Sequence, residues 1–145
     1  IYVDVPNYQE IEQAFTELFI IHDSRYVSFT EAKYSEASSP KEAHKVAFEE
    51  MIPNMQNYEG GINGITITKD EETTINGIDM YLFEGTINYG TDTKFDGYAK
   101  GCAFVLDGIP CEIVGSVIDK SQSQELIDEI SEIVDEMTQT VRSEE

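Results

Sequence analysis

Two dipeptides, Asn76-Gly77 and Asp107-Gly108, constrain the fold of this chain more than any other feature. Each interrupts a run in which apolar and polar residues alternate, ITITKDEETTINGIDMYLFEGTINY in the first case and YAKGCAFVLDGIPCEIVGSVI in the second. Such alternation is typical of strands, and Asn-Gly or Asp-Gly favours a two-residue turn because both positions tolerate positive φ. The sequence therefore predicts two β-hairpins, and strands joined by turns this short must be antiparallel.

The second hairpin has a predicted register with one continuously apolar face. The expected pairs on that face are Leu106 with Ile109, Phe104 with Cys111, Cys102 with Ile113, and Tyr98 with Val117. The opposite face is expected to pair Ala103 with Glu112, Val105 with Pro110, and Ala99 with Ser116.

Cys102 and Cys111 are the only cysteines, and the predicted register places them diagonally on the same face. Diagonal Cβ atoms lie ~7–8 Å apart or somewhat less, whereas a disulfide needs about 3.8 Å. We therefore expect two free, buried cysteines and disfavour a disulfide between them. A structural disulfide and a reactive or metal-binding role stay open, although no C-x-x-C spacing is present and neither His22 nor His44 is near in sequence.

Apolar residues at helical spacing predict three helices, the first at about residues 8–20. Asn7 can cap this helix and Glu10 follows three residues later, as in a capping box. The second helix is expected to begin after Ser39 as N-cap, with Pro40 in its first turn, and to end or kink near Pro53. Its apolar stripe consists of Ala43, Ala47, Phe48, Met51, Ile52 and Met55.

The C-terminal segment SQSQELIDEISEIVDEMTQTVR predicts the third and longest helix, and RYVSFTEAKY between the first two helices predicts a strand. The helix has an apolar stripe formed by Leu126, Ile130, Ile133, Met137 and Val141. Helices with such stripes need a sheet face to cover. We predict an α+β fold in which a largely antiparallel sheet is flanked by helices, with residues 1–145 as a single globular domain.

The charge balance excludes some classes of partner. The chain has 29 acidic residues against nine Lys plus Arg, a formal charge of −20. Such a surface repels phosphate backbones and anionic lipid headgroups, so nucleic acid and membrane surfaces are not expected as partners, while basic partners and cations stay open.

No apolar run reaches the ~20 residues of a membrane-spanning helix. The chain begins at Ile1, so we expect an N-terminal portion to have been removed, and a secretory signal or lipid anchor could have been lost with it.

No conventional set of catalytic, cofactor-binding or metal-binding residues is predicted, and no cofactor is expected. Asn88, Asp92 and Asp96 come nearest to a cation site, but their spacing is not that of an EF-hand loop.

Surface or boundary positions are expected for His22 and His44. The acidic residues of the last helix, Glu125, Asp128, Glu129, Glu132, Asp135 and Glu136, are expected to form a solvated face. Tyr34, Tyr58, Tyr81, Tyr89 and Tyr98 either line a recognition groove or pack in the core with the hydroxyl at the surface.

Two stretches resemble known families. VPNYQEI resembles the V-P-D-x-Q-E segment of the Ran-binding Mog family, with Asn7 where that pattern has Asp. GSVIDKSQSQELIDEISEIVDEMTQTVR is similar to the final strand and long helix of small bacterial PsbP-like lipoproteins. The resemblance implies a PsbP-like α/β/α sandwich that serves as a binding or assembly module.

These observations together predict a non-catalytic binding or adaptor domain of the bacterial cell envelope, as the soluble part of a lipoprotein or secreted protein. Its partner would be a protein or a small ligand. Two alternatives stay open: a cytosolic, Mog-like partner of a nucleotide-binding protein, and a hydrolase that uses carboxylates. A cleft holding a carboxylate with a strongly raised pKa would favour the hydrolase.

Overall fold

A computed structural model describes residues 3–4, 9–13, 16–22, 25–33, 35–49, 62–89, 95–117 and 124–143 of the chain. The strands there are β1 Gln9–Gln13, β2 Thr16–His22, β3 Arg25–Glu31, β4 Ile62–Ile75, β5 Ile78–Tyr89, β6 Phe95–Leu106 and β7 Ile109–Val117. The helices are α1 Pro40–His44, which continues as a π-helix over Lys45–Glu49, and α2 Gln124–Gln139. The strands form one sheet in the order β1-β2-β3-β7-β6-β5-β4, and all neighbours are antiparallel.

Both predicted hairpins are confirmed. Asn76 and Gly77 have φ values of 55° and 75°, and Asp107 and Gly108 have values of 54° and 77°. These angles are those of the two-residue turns that match the twist of the flanking strands. The predicted register is also confirmed, from Leu106 opposite Ile109 to Tyr98 opposite Val117.

The helix predicted at residues 8–20 is wrong, because Gln9–Gln13 and Thr16–His22 are strands. They form an antiparallel hairpin, and β2 pairs in turn with the correctly predicted strand β3. The apolar residues of this segment satisfy helical spacing, but the segment FTELFIIH is also rich in the β-branched and aromatic residues that favour strands. The free edge of β3 can accept β2 as a neighbour, so tertiary pairing prevails over the local pattern.

The second helix begins as predicted. The Ser39 hydroxyl accepts a hydrogen bond from the Glu42 N–H at 3.2 Å, and Pro40 occupies the first turn. Ala43, Ala47 and Phe48 of the predicted stripe are buried. The rest of that stripe and the expected end near Pro53 lie outside the described residues.

The sheet has a buried cluster on each face. On one face, α2 packs Ile130, Val134 and Met137 against a strand cluster, whose members are Val27, Phe29, Met80, Cys102, Phe104, Cys111, Ile113 and Val117. Successive strand residues point to opposite sides of a sheet. The other cluster therefore occupies the opposite face; it consists of Phe48, Tyr81, Phe83, Ile87, Ala99 and Val114. Phe48 belongs to the π-helical continuation of α1, so the two helical segments pack against different faces.

The acidic face of α2 is solvated as predicted. Glu125, Asp128, Glu132, Asp135 and Glu136 are exposed, and Glu129 is half-buried. Lys100 of β6 donates to Ser131 at 2.8 Å and forms an ion pair with Asp135 at 3.0 Å. These contacts attach the polar side of α2 to the sheet. No helix in the described part of the chain is long and apolar enough to span a membrane.

Candidate functional site

The residues that drew attention in the sequence do not form one site. Cys102 and Cys111 are free thiols with no exposed surface, and both belong to the cluster under α2. Burial raises the pKa of the Cys102 thiol to about 12, so almost none of it is the reactive thiolate at neutral pH. The thiols therefore act as small apolar groups in this core.

The residues nearest to a cation site are divided between strands and an undescribed segment. Asn88 and Asp96 are register partners in β5 and β6, while Asp92 lies outside the described residues. Within the described ranges, no group of three or more His, Cys, Asp or Glu side chains could hold a metal ion. His22 is the last residue of β2, opposite Arg25.

His44 is not a surface histidine, contrary to the prediction, since only 4% of its surface is exposed. It lies at the end of α1 over the sheet, and its Nδ1 contacts Oε2 of Glu112. Glu112 is a residue of β7 and is only 2% exposed. This pair joins α1 to the centre of the sheet through a buried polar contact.

Aromatic rings surround the His44 imidazole. The ring centroid of Phe83 is 4.6 Å away, that of Phe48 is 5.6 Å away and that of Tyr81 is 5.8 Å away. Such apolar surroundings strengthen the electrostatic contact between His44 and Glu112, because few water molecules can screen it. A carboxylate on Nδ1 also fixes the orientation of an imidazole, as it does in enzymes that use histidine as a base.

A cleft of about 790 Å³ lies between α1 and β4, and His44 and Tyr81 form part of its lining. The Tyr81 hydroxyl donates a hydrogen bond to Oδ2 of Asp70 at 2.8 Å. Lys41 places its Nζ 5.9 Å from the centroid of the Tyr81 ring, within the range of a cation–π contact. Tyr81 thus combines the two roles weighed for the tyrosines, since its ring is buried in the core and it also lines a cleft.

The lining of this cleft includes both basic and acidic side chains. Lys41, Lys45 and Lys69 line it, and they represent three of the nine Lys and Arg residues in the whole sequence. The lining also includes two carboxylates, those of Glu42 and Asp70. The lining therefore carries charges of both signs that nearly balance, on a protein with a formal charge of −20.

Both carboxylates of the lining already accept hydrogen bonds. Glu42 accepts from the Ser38 N–H at 3.1 Å and from the Ser38 hydroxyl. These bonds hold the pKa of the Glu42 carboxyl below its usual value. Asp70 accepts from Tyr81. The charge of Lys45 also lowers the pKa of Glu42, so a lysine of the lining interacts with one of its carboxylates.

Strand β4 has an irregular register with β5 where it borders the cleft. The register between β4 and β5 shifts between Ile67 and Lys69, so Thr68 is the extra residue of a bulge. Its hydroxyl donates to the Glu84 carbonyl at 3.3 Å. A bulge re-aims the side chains around it, and this one lies where Ile67, Thr68 and Lys69 border the cleft.

Sequence reasoning missed the His44–Glu112 pair, because the partners are 68 positions apart and α1 is the element that brings them together. One signal was present. Glu112 is the only charged residue in β7, whose sequence is IPCEIVGSV. A lone carboxylate in an otherwise uncharged strand next to a core face indicates either a solvent-facing strand or a buried partner.

No known protein family and no curated protein matches the chain. Among solved structures, the chain is similar to PA94 from Pseudomonas aeruginosa, a protein of unknown function that is described as a candidate regulator. The similarity covers 96% of this chain and 99% of that one, with a TM-score of 0.52 and 9% sequence identity. At such low identity, the similarity shows that the two chains share a fold.

Proposed function

We propose that this protein is a non-catalytic binding or adaptor domain and that a partner binds in the cleft between α1 and β4. The observation that carries the proposal is the position of β4. Among the described strands, β4 is the last in the sheet and pairs only with β5. Its residues Ile67–Asp70 border the cleft. An edge strand beside a cleft offers unpaired backbone groups to an extended segment of a partner.

The burial of Glu112 favours binding over carboxylate-based hydrolysis. A carboxylate that acts on a substrate must reach the reacting atoms. Glu112 is 2% exposed and contacts His44, and it does not belong to the lining of the cleft. The pair therefore supports the floor of the cleft by holding α1 on the sheet.

We also propose that the two helical segments complete a PsbP-like or Mog-type α/β/α sandwich. The buried clusters on opposite faces of the sheet support this architecture. With the sequence resemblance to PsbP-like lipoproteins, it leads us to place the domain in the bacterial cell envelope. A cytosolic partner of a nucleotide-binding protein is the alternative that the Mog-like segment suggests.

Site-specific photo-crosslinking in the native host tests the cleft as the binding site. A photoreactive phenylalanine replaces Thr68, which lines the cleft, or Thr74, which is exposed on the same strand outside it. We expect one defined covalent adduct from position 68 and none from position 74. Equal adducts from both positions, or none from either, would contradict a partner site in the cleft.

Cell fractionation of the full-length protein, with mass analysis of its mature N-terminus, tests the location. A lipidated or secreted form is the expected result. An unprocessed protein in the cytosol would contradict the envelope proposal and favour the Mog-like alternative.

A further inference from the structure

The side chain of Asn76 joins the turn between β4 and β5 to the end of α2. Its Nδ2 donates a hydrogen bond to the backbone carbonyl of Gln139, the last residue of α2. The last carbonyl groups of a helix have no partner within the helix, so donors from elsewhere satisfy them. Asn76 therefore has two roles, since it adopts the positive φ of its turn and also caps a helix that ends 63 positions away.

The capping role requires an amide at position 76. Asp107 occupies the same position of the other hairpin turn with nearly the same φ, so aspartate satisfies the turn geometry equally well. A carboxylate at position 76 would have no N–H to donate, and the carbonyl oxygen of Gln139 would repel it. It would also lie at the C-terminal end of α2, where the helix dipole disfavours negative charge. The contact between the turn and α2 thus depends on Asn76 keeping its amide.

An Asn-Gly pair can lose that amide by an intramolecular reaction. The backbone nitrogen of the glycine attacks Cγ of the asparagine, because glycine has no Cβ atom to obstruct the approach. The new N–C bond closes a five-membered succinimide. The N–H proton passes through water to the side-chain nitrogen, which leaves as ammonia. Water then opens the ring to aspartate or isoaspartate, and for this reason asparagine is counted among the thermolabile residues.

The chain contains a second Asn-Gly pair in a different setting, Asn63-Gly64. It belongs to β4, where Gly64 is the register partner of Asn88. Asn76 and Gly77 are exposed and lie between the two strands. Ring closure requires the backbone of the asparagine to rotate until the glycine nitrogen reaches Cγ, and in a strand this rotation opposes the pairing with its neighbour. The exposed turn therefore favours the reaction more than the strand does.

We propose that Asn76 is a site of spontaneous deamidation and that the reaction releases the end of α2 from the β4–β5 turn. Water is the only co-reactant. The product carboxylate cannot donate to Gln139 and adds a negative charge beside its carbonyl. Isoaspartate also lengthens the backbone of a two-residue turn that sets the register of the flanking strands. Asn76 is not part of the cleft lining, so this site does not depend on the proposed binding function.

The release would extend to the residues that follow α2. The Thr140 N–H donates to the Met137 carbonyl at 3.0 Å, and the Thr140 hydroxyl accepts from the Asp4 N–H at 2.9 Å. Arg142 forms an ion pair with Asp4 at 2.9 Å. These contacts begin one residue after the carbonyl that Asn76 caps. Neighbouring contacts of this kind open as a unit, so both N–H groups should report the loss of the cap.

Peptide mapping by mass spectrometry tests the site. The native protein and the same protein unfolded in urea are incubated in mildly alkaline buffer, and conversion of Asn76 and Asn63 is followed in the same samples. In the native protein we expect Asn76 to convert at least about tenfold faster than Asn63, because an exposed turn opens more readily than a paired strand. In urea the two rates should become similar. Equal rates in the native protein, or faster conversion of Asn63, would overturn the assignment.

Amide hydrogen exchange tests the release of α2. N76D supplies the product carboxylate, and N76G removes the donor without adding charge; both substituents tolerate the positive φ of the turn. D107N is the matched control in the other turn. We expect N76D to accelerate exchange of the Thr140 and Asp4 N–H groups at least about threefold, N76G to do so less, and D107N to change it by less than about twofold. Unchanged exchange in N76D would overturn the release. Slower exchange would indicate a new ion pair with Arg142 and would overturn it as well.

Discussion

At the residue scale, the buried contact between His44 and Glu112 has a large effect on the free energy of folding. Taking a carboxylate out of water costs several kcal/mol unless a partner compensates for it. Glu112 is compensated by His44, and the rings of Phe48 and Phe83 exclude water from the contact. The two residues should therefore be strongly coupled.

Replacing one partner should cost far more than replacing both. We expect Glu112→Ala and His44→Ala each to reduce the free energy of unfolding by about 3–5 kcal/mol. The double variant with His44→Phe and Glu112→Leu should lose much less, because it removes both members of the buried polar contact at once. Urea denaturation of the four proteins measures the coupling. Additive losses would show that the pair contributes nothing beyond its separate packing.

The state of the cysteines is a separate residue-scale prediction. We expect an aromatic disulfide reagent to detect two thiols per chain in unfolded, unreduced protein and almost none in the native protein. Both cysteines lie in the core with 0% exposure, and this burial blocks the native reaction. Failure to detect thiols in the unfolded protein would reveal a disulfide between Cys102 and Cys111.

Burial of Cys102 also predicts a loss of stability in alkali. Its pKa is raised to about 12 in the folded protein, whereas an unfolded cysteine titrates near about 8.5. The contribution of the protonated, buried Cys102 thiol to the free energy of unfolding is fully present below the pKa of the unfolded cysteine. It declines as pH rises toward about 12, because only the unfolded thiol loses its proton, at up to about 1.4 kcal/mol per pH unit.

The control for this titration is Cys102→Ala, which has no thiol at the position. We expect the free energy of unfolding of the native sequence to fall more steeply than that of the variant between about pH 8 and about pH 10.5. Tyrosines and lysines also titrate at alkaline pH, and the comparison cancels their contributions. Parallel pH curves for the two proteins would contradict a strongly raised pKa for Cys102.

At the element scale, the bulge of β4 depends on a glycine in the neighbouring strand. A Cβ atom added to Gly85 of β5 would lie 2.1 Å from the carbonyl oxygen of Thr66. That oxygen belongs to the backbone, so it cannot move without changing the strand that borders the cleft. Gly85 thus permits the close approach of β4 and β5 just before the bulge.

The substitution Gly85→Ala should destabilise the protein by about 1–3 kcal/mol, the range for added volume where none is available. Gly64→Ala is the matched control, because a Cβ atom there meets nothing within 4 Å. We expect that change to alter stability by less than about 0.5 kcal/mol. Thermal or urea unfolding of both variants measures the difference. Equal effects would show that the β4 backbone tolerates the added atom.

The two hairpins could be predicted because the residues that determine them are adjacent in the sequence. Asn76-Gly77 and Asp107-Gly108 specify their turns within two residues, and the register of the flanking strands follows from the turn. The N-terminal hairpin could not be predicted in this way. Ile11, Leu18 and Phe19 fit a helical stripe, and the choice between helix and strand depends on pairing with β3, which the segment does not encode.

The cleft could not be predicted from the sequence either, because residues that are far apart in the chain form it. It forms where α1 and the edge of β4 lie together across Tyr81. Lys41 and Lys69 are 28 positions apart and have no common sequence pattern. The prediction that His44 lies at a surface or boundary position was wrong, because α1 turns that residue toward Glu112. Nothing near His44 in the sequence indicates this partner.

At the scale of the whole molecule, the dominant feature is charge. The formal charge of −20 produces repulsion that opposes folding. Ion pairs such as Lys100–Asp135 offset only a small part of it, since pairs near a surface contribute about 0–1 kcal/mol. Repulsion between the many unpaired carboxylates should therefore control how stability responds to salt.

We expect sodium chloride to stabilise the protein, because salt screens the repulsion between exposed carboxylates over about 10 Å at 0.1 M. The free energy of unfolding should rise on the order of 1 kcal/mol between low salt and about 0.5 M sodium chloride. Choline chloride is the control for specific binding of sodium and should act equally. A decrease in stability with salt would show that attractive ion pairs outweigh the net repulsion.

Divalent cations distinguish screening from a true cation site. Screening is gradual and nearly the same for Ca²⁺ and Mg²⁺, whereas a site saturates and discriminates between the two ions by size and ligand number. No described group of three or more His, Cys, Asp and Glu side chains could ligate a metal, so we expect the gradual response. A saturable stabilisation by Ca²⁺ that Mg²⁺ does not reproduce would contradict this expectation. It would direct the search for ligands to Asp92 and the undescribed segment around it.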